Sequence, residues 1–141
     1  MSDGPRAQID AIYAAYARGA FDFVLNAIAD DIDFVSYAPV DLFPYLGHHR
    51  GKAEFAASMR AAHAEFEYLT YQPVFVVVEK DDAAVILLAR LKQRSTGRII
   101  QLFVADFLRF RDGRIVELRE FIDSFDAVQQ VLGREIDASK L

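Results

Sequence analysis

Two acidic residues interrupt apolar alternations in neighbouring segments of the C-terminal half. Asp106 alternates with Val104 and Leu108 within the segment 98–111, and Glu120 alternates with Leu118 and Ile122 within the segment 114–123. Because strand residues two apart share a face, each carboxyl lies on an otherwise apolar face. Two carboxyls on an apolar wall should not both stay ionised, since desolvation and mutual repulsion raise at least one pKa. Such a pair suits general acid and base chemistry.

The turn between these two strands decides whether the carboxyls meet. A two-residue turn at Asp112-Gly113 would pair Asp106 with Arg119, which is a plain ion pair. A three-residue loop over 111–113 pairs Asp106 with Leu118 instead and aligns the two apolar faces. Because a one-residue slip exchanges the faces, the apolar pattern predicts the three-residue loop. Asp106 and Glu120 are then diagonal neighbours, about 7–8 Å apart at the backbone.

A third charge is predicted beside this pair. The preceding strand, 83–94, has Ile86, Leu88, Arg90 and Lys92 on one face. We therefore expect Arg90 to set the charge of Asp106 or Glu120. The same three residues also fit a structural network that is satisfied within the core.

Further candidates lie on apolar faces that would surround these carboxyls. The predicted lining comprises residues with polar groups (His63, Tyr13, Tyr16 and Tyr37) and apolar residues (Phe55, Met59, Val104 and Leu118). A histidine or tyrosine in such a position is also typical of ordinary core packing. His48 and His49 fit a solvated pair in a loop. Because the three histidines lack metal-ligand spacing and no glycine-rich phosphate loop occurs, we predict neither a metal nor a cofactor.

The elements that position these residues are helices followed by strands. Helical stripes occupy the N-terminal half, including a helix over 52–67, and four strands cover 69–79, 83–94, 98–111 and 114–123 before a final helix over 125–132. This order predicts an α+β fold, in which a cone-shaped, curved antiparallel sheet packs on N-terminal helices. The length of 141 residues favours a single domain over 1–141. The apolar loop over 38–50 fits a lid or an interface.

Composition excludes several kinds of partner. The net charge is −5 and no Lys/Arg cluster occurs, so a nucleic-acid partner is not expected. The longest apolar run, 83–89, is too short for a membrane span. The absence of cysteine and the polar first five residues favour a cytoplasmic protein.

A second apolar face of the sheet predicts self-association. This outer face is expected to contain Leu87, Ala89, Leu91, Phe103, Ala105, Phe107 and Phe121. Helices in a chain of this length can cover only one face of the sheet. We therefore predict a homodimer that forms through the outer face.

Three segments resemble a known superfamily in their order and spacing. They are AYARGAFDFVLNAIADDIDF, GHHRGKAEF and FLRFRDGRIVELREFID. From about Ile9 to Leu132, the chain resembles the nuclear transport factor two-like superfamily, in its SnoaL-like and ketosteroid isomerase-like branch. The resemblance implies a cone of curved sheet over helices that encloses a pocket.

Comparison with ketosteroid isomerases implies a role for Asp106. Its place is similar to that of a protonated aspartate that donates a hydrogen bond to the substrate oxyanion. The isomerase's general base corresponds to Ser36, and its oxyanion tyrosine corresponds to Ile12. The steroid reaction itself is therefore not implied, although Tyr13 or Tyr16 could replace the tyrosine.

Comparison with limonene epoxide hydrolases implies a role for Glu120. The segment LREFID is similar to their WRDYFD, which matches Glu120 to an acid/base aspartate. Arg90 corresponds to their arginine, but Lys92 stands where their second aspartate lies. The resemblance therefore implies acid/base chemistry without fixing the substrate.

Three hypotheses follow. The first is an isomerase-like enzyme that acts on a small apolar carbonyl compound, with Asp106 as proton donor, Glu120 as base and Arg90 as a neighbouring charge. The second is a protein of the same fold that binds a small hydrophobic molecule without turnover. The third is a dimeric scaffold in which both carboxyls only anchor the core.

Overall fold

Helices precede strands in the computed structural model of the protein, which describes residues 4–140. Three helices, α1 (Gly4–Ala17), α2 (Phe21–Asn26) and α3 (Lys52–Glu65), belong to the N-terminal half. A fourth helix, α4 (Ser124–Leu132), and a short 3-10 helix (Ala138–Lys140) follow the last strand. The strands are β1 (Ile28–Ser36), β2 (His48–Arg50), β3 (Phe66–Glu79), β4 (Asp82–Gln93), β5 (Ile99–Arg111) and β6 (Arg114–Ile122).

The six strands form one curved, unclosed sheet in the order β2-β1-β6-β5-β4-β3. Strands β3 to β6 are consecutive antiparallel neighbours, and β1 pairs in parallel with β6. The inner face carries the core, in which Ile9 of α1, Ile32 of β1 and Leu87 of β4 are fully buried. The predicted α+β class, with N-terminal helices packed on a curved sheet, is confirmed.

Two boundaries differ from the predicted ones because extended backbone begins earlier than the apolar patterns indicate. Strand β1 starts at Ile28, and its register with β6 shifts before Asp33. Helix α3 ends at Glu65, and the next residue, Phe66, already has extended backbone angles. The predicted loop over 38–50 also contains the whole of β2, which pairs with β1.

The β5–β6 hairpin is closed by two residues, so the predicted three-residue loop is wrong. Asp112 and Gly113 have φ angles of 53° and 78°, as a tight hairpin turn with two left-handed residues requires. The register then shifts by one residue before Arg109 pairs with Glu117, which leaves Val116 as a β-bulge. The bulge aligns the apolar faces that the three-residue loop was meant to align.

The inner face of β4 is the opposite of the predicted one. Its buried residues are Ala83, Val85, Leu87, Ala89 and Leu91, whereas Arg90 is exposed on the outer face. The prediction that Leu87, Ala89 and Leu91 belong to the outer face is therefore wrong. Aromatic side chains dominate the outer face of the neighbouring strands, where Phe103, Phe107 and Phe121 are 61%, 50% and 42% exposed. No helix within residues 4–140 has both the length and the apolar character to cross a bilayer.

Candidate active site

The centre of the sheet brings two carboxyl residues into direct opposition. Asp106 of β5 pairs with Glu120 of β6, and Val85 of β4 lies on the other side of Asp106. Directly opposed residues of an antiparallel pair have Cβ atoms about 4.5–5.5 Å apart. The two carboxyls are therefore closer than the diagonal arrangement that the three-residue loop predicts.

Asp106 is a buried carboxyl with one oxygen satisfied. Its side chain is 2% exposed, and the Tyr13 hydroxyl donates a hydrogen bond of 2.6 Å to Oδ2. Oδ1 is buried and has no hydrogen-bond partner among the described residues. Burial raises the pKa of Asp106 well above its usual range, and the negative charge of Glu120 adds to this effect, whereas the Tyr13 hydrogen bond opposes it. Asp106 is therefore suited to hold a proton at neutral pH.

Glu120 has a different partner. The Ser36 hydroxyl donates a hydrogen bond of 2.8 Å to Oε1, because the parallel register places Ser36 of β1 beside Glu120. Burial raises the pKa of Glu120, and the Ser36 hydrogen bond lowers it. Because each carboxyl influences the other, they titrate as a pair. Within residues 4–140, no group of three or more His, Asp or Glu side chains is arranged to hold a metal ion.

Both carboxyls border an interior cavity of about 110 Å³. An apolar cavity of about 150 Å³ binds benzene, so the smaller cavity here suits a molecule somewhat smaller than a six-membered ring. The walls are rich in aromatic side chains, namely Tyr13, Tyr16, Tyr45, Tyr68, Tyr71, Phe34, Phe43, Phe55 and Phe66. The cavity thus combines apolar walls with a few polar groups, which is typical of small-molecule sites.

The tyrosines of the cavity remain neutral hydrogen-bonding groups. Burial raises the pKa values of Tyr13, Tyr16 and Tyr71 well above their usual range. The Tyr16 and Tyr68 hydroxyls are 3.4 Å apart, and the Tyr13 and Tyr71 rings make an edge contact with centroids 5.8 Å apart. The phenols can therefore donate to a ligand without carrying charge.

Six of the residues expected to line the cavity do so: Tyr13, Tyr16, Phe55, Met59, Val104 and Leu118. His63 is not among the lining residues. Its ring stacks on Tyr68 at 4.4 Å, and its Nε2 atom lies 2.8 Å from the Tyr16 carbonyl oxygen. His63 therefore packs behind the tyrosines, which agrees with the alternative of a core histidine.

Tyr37 and Arg90 lie on the far side of the sheet. Tyr37 is 55% exposed, and its ring stacks on Phe121 with centroids 4.6 Å apart. Arg90 pairs with Gln101 of β5 and is exposed on the outer face. The prediction that Arg90 neighbours Asp106 and Glu120 is wrong. It assigned the face of β4 that contains Arg90 and Lys92 to the cavity, whereas this face is the outer one.

Three polar residues of the site, Ser36, Tyr68 and Tyr71, were not predicted as site residues, whereas Tyr45 was a candidate hydrogen-bond donor to the cavity. Ser36 ends β1, and Tyr45 belongs to the loop over 38–50. Tyr68 and Tyr71 are three residues apart, yet both line the cavity because the register of β3 against β4 shifts between Tyr68 and Thr70. A simple alternation assigns the two tyrosines to opposite faces. Tyr45 could be considered from the sequence because it is a tyrosine in an unusually apolar loop.

The loop over 38–50 supplies part of the cavity wall through Phe43, Tyr45 and Leu46. The Ser58 hydroxyl donates a hydrogen bond of 2.7 Å to the Tyr45 carbonyl oxygen. The His49 Nε2 atom lies 2.8 Å from the same oxygen. The loop is thus held against α3, and its opening as a lid stays a prediction.

The SnoaL-like domain family matches residues 9–118, which is more than half of the chain. The chain belongs to the SnoaL-like domain family. The predicted membership of the nuclear transport factor two-like superfamily is therefore confirmed. A search of curated proteins finds no match to this SnoaL-like protein.

Solved structures with this fold differ in activity. An isomerase, provisionally so described, from Rhodopseudomonas palustris is 32% identical with a TM-score of 0.81, over 88% of this chain and 92% of its own. An epoxide hydrolase from M. tuberculosis is 18% identical with a TM-score of 0.72, over 89% of this chain and 86% of its own. A provisionally described polyketide cyclase from Pseudomonas putida KT2440 is 18% identical with a TM-score of 0.71, over 86% and 93%. The last two likenesses concern the fold alone.

Proposed function

We propose that this SnoaL-like protein is an isomerase-like enzyme that moves a proton on a small, largely apolar carbonyl compound. The observation that carries the proposal is the buried Asp106 carboxyl, which borders an aromatic cavity with Oδ1 unpartnered and faces a second carboxyl. A buried polar atom without a partner is costly, so a ligand that completes its hydrogen bonding gains affinity. A carbonyl oxygen is such a ligand when Oδ1 carries the proton.

In the proposed reaction, Asp106 is the hydrogen-bond donor and Glu120 is the base. Asp106 donates a hydrogen bond from Oδ1–H to the substrate carbonyl oxygen while Oδ2 accepts from Tyr13. The Glu120 carboxylate removes a proton from the carbon beside the carbonyl, and the hydrogen bond from Asp106 stabilises the enolate that forms. Glu120 then returns the proton to another carbon of the enolate. The sequence is redox-neutral and requires no cofactor or metal.

Deuterium exchange tests this function directly. Purified protein is incubated in D₂O with small enolisable ketones such as butanone, and α-deuteration is followed by proton NMR. We expect exchange above the buffer rate, and the isosteric Glu120→Gln variant should lose it. Equal exchange by Glu120→Gln and the unaltered protein would contradict the assignment of the base.

Binding without turnover is the second candidate function. The predominantly apolar lining of the cavity favours it, because burial of apolar ligand surface alone can supply affinity. In that case ketones would raise the melting temperature of both the protein and its Asp106→Asn variant, and no exchange would occur. A third outcome, with neither binding nor exchange, would favour a scaffold.

We also propose that the outer face of the sheet pairs with a second copy of the chain. Phe103, Phe107 and Phe121 are exposed on adjacent strands, and Arg109 on the same sheet pairs with both Asp82 and Glu117. A patch that carries both charge signs around an apolar centre can complement itself, as a two-fold dimer requires.

Phe107→Arg is expected to weaken this dimer. A buried aromatic residue at the centre of an interface contributes about 2 kcal/mol or more, so the dissociation constant should rise at least about 30-fold. Light scattering during gel filtration measures the change. Phe23→Arg is the matched control, because Phe23 is 47% exposed on α2, away from the sheet's outer face. A monomeric unaltered protein would refute the dimer.

A further inference from the structure

We propose that Ser36 is a positioning residue that keeps Glu120 ionised and thereby leaves the shared proton of the pair on Asp106. The catalytic meaning of this inference rests on the proposed function. The Ser36–Glu120 hydrogen bond and the titrations of the two carboxyls can be measured without any substrate.

The geometry around Ser36 directs its hydroxyl proton to Glu120. Ser36 is 3% exposed, and its Oγ lies 2.8 Å from Glu120 Oε1. The backbone N–H of Ala38 donates to the same Oγ at 3.4 Å, so the oxygen already serves as an acceptor on that side. The Tyr37 N–H also donates to the Glu120 carbonyl oxygen at 2.9 Å, which fixes the two strands at this point.

Each carboxyl receives one side-chain hydrogen bond, so a small energy difference decides which of the two holds the proton. Tyr13 donates to Asp106, and Ser36 donates to Glu120. A hydrogen bond to a charged carboxylate stabilises it more than one to a neutral carboxyl. Asp106 is the more deeply buried of the two, and its second oxygen has no partner. The charge is therefore placed on Glu120 as long as Ser36 supplies its hydrogen bond.

Removal of the Ser36 hydroxyl reverses or abolishes the preference of the negative charge for Glu120. Glu120 would lose its donor, whereas Asp106 would keep the one from Tyr13. Within residues 4–140, no cationic side chain contributes to the pKa shift of Glu120. The groups on which the charge of Glu120 acts are acidic or phenolic: Asp106 on β5, Tyr13 and Tyr16 on α1, Tyr45 on the loop, and Tyr68 and Tyr71 on β3. The proton would then be shared between the two sites or move to Glu120.

The experiment is a site-resolved carboxyl ¹³C NMR titration of the ligand-free protein. In the unaltered protein, we expect the Glu120 signal to ionise at lower pH than the Asp106 signal. In Ser36→Ala, the Glu120 midpoint should rise by about one pH unit, which corresponds to the loss of one hydrogen bond to a charged group. The Asp106 midpoint should fall correspondingly, because the pair is coupled.

Two further variants separate this role from a merely structural one. Ser36→Thr retains a hydroxyl and should restore the order of ionisation. Ser58→Ala removes another buried serine hydroxyl of the same cavity, one that donates to a backbone carbonyl, and should leave both carboxyl midpoints unchanged. Circular dichroism establishes that each variant is folded.

The result that overturns the inference is an Asp106 signal that ionises first in the unaltered protein, or identical titrations in Ser36→Ala. Failure of the proposed function has a different signature. The titrations would then respond to Ser36→Ala as described, while no ketone exchanges deuterium. If exchange does occur, the acidic limb of its pH profile should move to higher pH in Ser36→Ala. In Ser36→Thr it should lie at the same pH as in the unaltered protein.

Discussion

Asp106→Asn is expected to lower ketone turnover by about 10²–10⁴-fold, which is the usual contribution of a positioned acid or base. The asparagine side chain has nearly the same shape, and its amide oxygen can still accept the hydrogen bond from Tyr13. The amide N–H that then lies at the position of Oδ1 is a much weaker acid than a carboxylic acid, so it stabilises the developing enolate less. The loss should appear mainly in kcat, because the enolate gains more from this donor than the ground-state ketone does.

The measurement is steady-state deuterium exchange with the same ketone at several concentrations. Arg90→Ala serves as a control on the same sheet, since the Arg90 side chain is exposed on the opposite face from Asp106. We expect its rate to equal that of the unaltered protein. A fully active Asp106→Asn variant would remove Asp106 from the mechanism.

The thermal stability of the ligand-free protein is expected to fall as the pH rises from about 5 to 8. Burial raises the folded-state pKa values of Asp106 and Glu120 above the unfolded values near 4. The native state then binds more protons than the unfolded chain, and stability declines until the pH passes the folded-state pKa values. Each pH unit of elevation costs about 1.4 kcal/mol, which corresponds to several degrees in Tm.

Asp31 and Asp82, whose pKa values are lowered, do not produce this decline. Arg111 and Arg109 lower the pKa values of Asp31 and Asp82 through direct ion pairs, and the contributions of these pairs are lost only as the pH falls below about 4. Differential scanning calorimetry at constant ionic strength measures the profile. In Asp106→Asn, the decline should be markedly smaller. A Tm that rises through this window, with no difference between the variants, would show that solvent reaches both carboxyls.

Alternation along β5 and β6 was sufficient to predict the carboxyl pair but not its register. Asp106 and Glu120 each stand out against apolar neighbours on their own strand, so their shared face could be inferred. The bulge at Val116 has no signature in the apolar pattern, since a three-residue loop satisfies that pattern equally well. On β4, both faces are largely apolar, so the position of Arg90 did not identify the inner one.

The polar partners of the pair depend on long-range pairing, which a single sequence does not display. Ser36 reaches Glu120 because β1 joins β6 in parallel, and no local pattern indicates that pairing. The resemblance places the isomerase tyrosine at Ile12, whereas the structure places the hydroxyl of the next residue, Tyr13, against Asp106 itself. Tyr13 was among the predicted lining residues, but its specific partner followed only from the packing of α1 on the sheet.

The parallel contact between β1 and β6 also constrains when the site can form during synthesis. Ser36 and Glu120 are separated by 84 residues, and Tyr13 and Asp106 by 93. A nascent chain that ends before β6 leaves β1 with β2 as its only neighbouring strand in the sheet. Because closure of such long loops is slow relative to local contacts, the helices and the β3–β4 hairpin should form first. The hydrogen bonds that Tyr13 and Ser36 donate to the two carboxyls are then among the last contacts to form.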